Sequence, residues 1–249
     1  MLQAPKQKST YEAIPAGSYV ARLFSLIHIG TQSFEYKGEK KTANKVRLTF
    51  ELPTEMKEFK EGEGKKPYII SQEFTLSMHP KSKLRPTIEA WLGTKLGDEE
   101  AYSFNLEDLI GKECLLSVIH TEKEGNTYAN ISTISPLPKG MECSEQINKT
   151  INLNYTNFDD EVFNALPNFL KDKMMATPEY AGIFEARKKD IKIDEKTDKE
   201  IDKALDKAPE NKKDVRNVET DTKHGKAMKE AIDEAELNAV INDKPPVEE

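Results

Sequence analysis

Apolar and polar positions alternate with a period of two through much of the first half of the chain, the spacing that sends one set of side chains into a core and the other outward. From Gly17 to Ile29 the run is apolar almost throughout, with Arg22 as its only charge, and Gly30 closes it. This predicts a long, mostly buried strand. A second strand is expected over Asn44–Leu52, with Val46, Leu48 and Phe50 packed and Lys45, Arg47 and Thr49 turned outward. After a Glu- and Lys-rich turn at Pro53–Lys66, a third over Tyr68–Met78 places Ile70, Phe74, Leu76 and Met78 opposite Ser71, Glu73, Thr75 and Ser77.

At Ser82 the period changes to 3.6. Leu84, Ile88, Trp91 and Leu92 share one helical face and Gly93 supplies the stop. Leu106–Ile110 reads as a short helical turn. Glu113–His120 and Thr127–Leu137 read as two further strands, with Gly125 and Asn126 suited to the turn between them. Five strands with a helix between the third and fourth is the order of the OB-fold, a mainly β, partly open five-stranded barrel. Phe24, Phe50, Phe74 and Trp91 fall on the apolar sides of their elements and are expected in its core.

Beyond Pro138 the pattern becomes helical again. Val162, Phe163, Leu166, Phe169, Leu170, Met174 and Met175 lie at helical spacing, divided by Pro167 and Pro178, and predict short amphipathic helices. After Phe184 there is no aromatic residue. A stretch so dense in Lys, Asp and Glu buries too little apolar surface to offset about 1 to 2 kcal/mol of backbone entropy per residue, and is expected to be disordered, with a weak helix near Lys223–Val240. The organisation expected is a flexible N-terminus (1–11), an OB-fold domain (12–139), a linker with a short helical extension (140–190) and a disordered, charged, acidic C-terminal tail (191–249).

Charge sharpens this division. The 249 residues carry a formal net charge of -7, yet Lys and Arg outnumber Asp and Glu 19 to 18 up to Gly140, whereas the remainder has 18 against 26. The acidity belongs to the second half, and the first half can still bind a polyanion if its cations are gathered on one side. A hydrophobic fraction of 37% and a mean hydropathy of -0.70 fit a chain that is only partly packed. Cys114 and Cys143 are the only cysteines and form no CxxC, which suits a reducing compartment such as the cytoplasm. The N-terminal residues lack a signal-peptide core, and no run approaches the ~20 apolar residues needed to cross a bilayer.

Catalytic motifs are missing from the sequence. His28, His79, His120 and His224 have no HExxH or paired-cysteine context, and no phosphate-binding glycine loop or GxSxG elbow occurs. Asp98-Glu99-Glu100 and Asp159-Asp160-Glu161 suit helix starts, where carboxylates complement the dipole. The expectation is a protein that is not an enzyme and needs no metal or cofactor.

Binding chemistry is present instead. Phe34, Tyr36, Lys37, Lys40 and Lys41 form a basic, aromatic loop that runs into Lys45 and Arg47 on strand 2. In an OB-fold, the first loop and strands 2 and 3 carry the oligonucleotide surface. Tyr68 begins strand 3, Lys81, Lys83 and Arg85 cluster at the helix start, and His120, Lys123 and Tyr128 flank the loop between strands 4 and 5. Cations here would track phosphates, while Phe34, Tyr36 and Tyr128 would stack on bases or pack among their neighbours. The same lysines would also suit a solvated hairpin that serves only solubility.

The segments Ile14-Pro-Ala-Gly-Ser-Tyr-Val, Val46-Arg-Leu-Thr-Phe-Glu-Leu, Lys83-Leu-Arg-Pro-Thr-Ile-Glu-Ala-Trp-Leu-Gly and Leu109-Ile-Gly-Lys-Glu-Cys-Leu-Leu-Ser-Val resemble the phage-encoded OB-fold single-stranded-DNA-binding proteins of replication and recombination gene clusters. The resemblance covers residues 12–139, and Ala165-Leu-Pro-Asn-Phe-Leu-Lys-Asp-Lys is similar to the helical extension that follows that domain. It implies sequence-tolerant binding of single-stranded DNA in the host cytoplasm, an acidic tail that serves replication or recombination proteins, and room for a homo-oligomer. The rival expectation is an OB-like protein-interaction module of a phage replisome, or an inhibitor of a host factor, that never touches DNA.

Overall fold

A computed structural model describes residues 13–59, 61–123 and 125–186. The expected flexible N-terminus (1–11), the tail (191–249) and the weak helix near 223–240 lie outside these residues. The described strands are β1 (Gly17–Tyr36), β2 (Glu39–Lys57), β3 (Lys66–Thr75), β4 (Glu113–Lys123), β5 (Asn126–Ser135) and β6 (Ile151–Leu153). Between β3 and β4 lie α1 (Leu84–Leu92), α2 (Asp98–Ser103) and a 3-10 turn at Leu106–Leu109; α3 (Asp160–Asn164) and α4 (Asn168–Met175) follow β6. Residues 178–186 are also helical. The chain is mainly β, with an antiparallel sheet in the order β3-β2-β1-β4-β5. β4 pairs with β1 over Gly17–Arg22, and β6 then pairs parallel to β1 at Ser25–Ile27.

From Ala21 to Ile29 β1 is apolar almost throughout because both of its faces are covered there. Ala21, Leu23 and Leu26 join β2, β3, β4, β5 and α1 in one core, on what we call the inner face of the sheet. Ile27 and Ile29 turn to the outer face and pack with Leu153, Phe163, Leu166, Leu170 and Met174 of the C-terminal segment. Gly30 does not end the strand. It sits at a bulge between His28 and Gly30 with φ +82°, and a Cβ there would lie 2.9 Å from the Tyr155 hydroxyl. Only glycine meets both demands without strain.

Phe24, Phe50, Phe74 and Trp91 are all buried, as their positions predicted. The α1 pattern also holds: Leu84, Ile88 and Trp91 enter the inner core, and Gly93 caps the helix with its N–H directed at the Ala90 and Glu89 carbonyls. α2 was not foreseen as an element, although its acidic start was; the Glu100 carboxylate accepts from the Gly97 N–H at 2.8 Å. Asp159 caps α3 by accepting from the Glu161 and Val162 N–H groups.

Residues beyond β5 lie against the sheet. Arg22 donates to the carbonyls of Cys143 and Ser144, and the fully buried Glu51 carboxylate accepts from the N–H groups of Ile147 and Asn148. The edges of β3 and β5 approach one another over α1, with a hollow of about 220 Å³ lined by Gln72, Thr87, Ala90 and Ser132 between them. No helix among the described residues is long and apolar enough to cross a membrane.

Candidate nucleic-acid interface

The basic stretch expected as a loop is a β-ribbon. β1 and β2 pair through Gln32↔Ala43, Phe34↔Lys41 and Tyr36↔Glu39, past the last β2–β3 pair at Lys45↔Thr75. Lys37 and Gly38, with φ of 53° and 79°, form a two-residue turn with both residues left-handed, the geometry whose twist matches that of the flanking strands. Outside its root, each strand of this arm pairs only with the other among the described residues.

Strand alternation sorts the predicted residues. Phe34 and Tyr36 lie two apart on β1, and Lys41 lies directly across from Phe34, so all three occupy the outer face. Lys45 reaches the same face and sets its ammonium 5.4 Å from the Phe34 ring centroid. Lys41 and Lys37 lie 4.8 and 5.4 Å from the Tyr36 centroid. Each pair contributes about 0.5 to 1 kcal/mol at an exposed site. Lys40 falls on the opposite face, across from Glu35.

Two predicted contacts are corrected. Arg47 does point to the outer face, but that face is covered. Its side chain is 5% exposed, Nη1 donates to Glu73 Oε1 at 3.2 Å, and the guanidinium lies 5.6 Å from the Phe169 ring centroid. Lys173 of α4 donates to the same Glu73 oxygen at 2.7 Å. Arg85 is likewise internal: it donates to Glu89 and Asp98 at 3.0 and 2.6 Å and to the Leu96 carbonyl, closing the turn between α1 and α2. A guanidinium committed this fully has no donor group aimed at a phosphate.

The remaining residues fall elsewhere. Tyr68 is at the β2–β3 hairpin, edge-on to Phe59 with ring centroids 5.3 Å apart and with Lys57 5.8 Å from its own centroid. Lys81 and Lys83 are exposed in the turn before α1. Lys123 and Tyr128 share a face of the β4–β5 hairpin, where Thr121 opposes Tyr128 and Lys123 opposes Asn126. That hairpin runs past the N-terminal end of β1, where Gly17 pairs with Val118, whereas the arm leaves the C-terminal end. The two lysine- and aromatic-bearing hairpins therefore lie at opposite ends of one strand.

The root of the arm carries contacts that the sequence reading did not find. The Tyr155 hydroxyl donates to the Ile29 carbonyl at 3.1 Å, and Gln32 Nε2 donates to the Lys173 carbonyl at 3.2 Å. Burial pushes the Tyr155 phenol up to about 12, so it keeps its proton. Glu179 accepts from the Thr31 N–H at 3.0 Å and from the Thr31 hydroxyl at 2.6 Å. Burial alone would raise the Glu179 pKa, but these Thr31 bonds, its own backbone and nearby His28 outweigh it, leaving a net lowering. The partners are 148 positions apart, so no local pattern announces them. Among the described residues, no three His, Cys, Asp or Glu side chains are placed to hold a metal ion.

The sequence matches no protein-family model, and a search of curated proteins finds no match for it.

Proposed function

We propose that this chain is a non-enzymatic, sequence-tolerant single-stranded-DNA-binding protein that contacts its ligand through the β1–β2 arm. The observation that carries the reading is the outer face of that arm, where Phe34 and Tyr36 stand two residues apart with the ammonium groups of Lys37, Lys41 and Lys45 over their rings. Any base offers a π-face to such rings, and lysine follows phosphate without reading sequence. Binding needs no cofactor. The strand order, the helices between β3 and β4, and the approach of the β3 and β5 edges support an OB-type barrel left partly open at that seam.

The resemblance to phage single-strand binders extends the proposal to replication or recombination in a host cytoplasm. The acidic second half of the chain then competes with DNA for the arm or docks basic partner proteins. Anisotropy titrations with fluorescent dT, rU and duplex oligomers over a range of salt test the reading. Sequence-tolerant binding to dT, with a log K against log salt slope of about -0.7 per neutralised phosphate, is expected. No binding, or a strong preference for one duplex sequence, overturns it, and failure to bind any oligomer favours the protein-interaction module.

A further inference from the structure

The arm leaves the sheet at a bulge. A β-bulge bends and twists its strand, and a two-stranded ribbon with no third strand is only marginally stable. Left to itself, a ribbon beyond Gly30 would swing about that bend. Thr31, the first residue past Gly30, is held by a residue 148 positions further along the chain: both Glu179 carboxylate oxygens are used, one on its N–H and one on its hydroxyl. Oε2 of the same carboxylate lies 3.1 Å from where a Gly30 Cβ would be, so the clamp closes directly over the bend. Tyr155 on the Ile29 carbonyl and Gln32 on the Lys173 carbonyl flank it.

We propose that Glu179 is a positioning residue that fixes the direction of the arm and, resting on the nucleic-acid reading above, thereby sets its affinity for a single strand. The sign of this effect sets it apart from simple electrostatics. A carboxylate near a basic surface repels phosphate, so its removal alone would strengthen binding. Acting through Thr31, Glu179 strengthens binding instead, because it keeps the outer face of the arm in one orientation and spares the ligand the entropy of ordering it.

The test compares the full chain with Glu179→Ala, Glu179→Gln, Thr31→Val and the Glu179→Ala/Thr31→Val double variant. It uses anisotropy with a fluorescent dT oligomer and backbone amide relaxation over residues 33–42. Glu179→Ala should weaken binding about fivefold to tenfold, the scale of the entropy the ligand must supply to order an arm that is no longer held. Arm order parameters should fall from about 0.85 towards 0.6. Glu179→Gln, which keeps one acceptor oxygen, should fall between, and Thr31→Val should add little to Glu179→Ala. Equal or tighter binding by Glu179→Ala, or unchanged arm order, overturns the proposal. If the unaltered chain binds no oligomer, the nucleic-acid reading fails, and the relaxation data alone decide whether Glu179 orients the arm.

Discussion

Arg47 and Glu73 face each other across β2 and β3 with Nη1 3.2 Å from Oε1, and their side chains are only 5% and 7% exposed. Removing one partner of such a pair takes a neutralising charge from a group held away from water. Glu73→Ala leaves both Arg47 and Lys173 without that carboxylate and should destabilise the fold by about 3 to 5 kcal/mol. Urea unfolding checks this, and the part of the sample that remains folded should bind DNA as the unaltered chain does.

The arm predicts a face-specific pattern. Lys37→Ala/Lys41→Ala/Lys45→Ala should lose most single-strand binding and make the salt dependence shallower by about 2, with unchanged circular dichroism. Lys40→Ala, on the other face, should change either quantity little. A Lys40 effect as large as the triple effect would show that charge alone matters, not the Phe34–Tyr36 face.

Glu89 gives the fold a pH dependence. Hydrogen bonds from Lys95 and Arg85 hold its pKa at about 2 against an ordinary 4.5. A carboxylate whose folded pKa is depressed stabilises the fold fully above its unfolded value, and that contribution is lost as pH falls from about 4.5 to 2. Thermal melts across that interval should show stability declining for the unaltered chain and declining less for Glu89→Gln.

Chain length supplies another prediction. A chain ending at 139 would uncover Ile27 and Ile29 and leave Glu51 without the Ile147 and Asn148 N–H groups. It should not give a cooperatively folding domain, whereas a chain ending at 186 keeps these contacts and should melt cooperatively. Differential scanning calorimetry of the two separates them.

Much of the fold was legible because it is written in short-range periodicity. The inner-core positions Val46, Leu48, Phe50, Ile70 and Phe74 alternate, and Leu84, Ile88 and Trp91 recur at helical spacing. The arm was legible in composition but misread in form: Lys37-Gly38 is a turn in which a lysine adopts φ 53°, uncommon for that residue, so a paired ribbon looked like a loop. Arg47 shows a different limit. Alternation gave its face correctly, yet whether that face meets water depends on Phe169 and Lys173, more than a hundred positions away.

The parallel pairing of β6 with β1 also orders events during synthesis. Ser25 pairs with Ile151, so the residues that cover Ile27 and Ile29 leave the ribosome on the order of ten seconds after β1 itself. Even after β5 has emerged and Ile131 and Ile134 have closed the inner core, the outer apolar positions of β1 stay bare until β6 and the helices that follow it are made. An uncovered aliphatic strand of this kind is prone to aggregation, so slow translation between β5 and α4 would favour aggregation over folding.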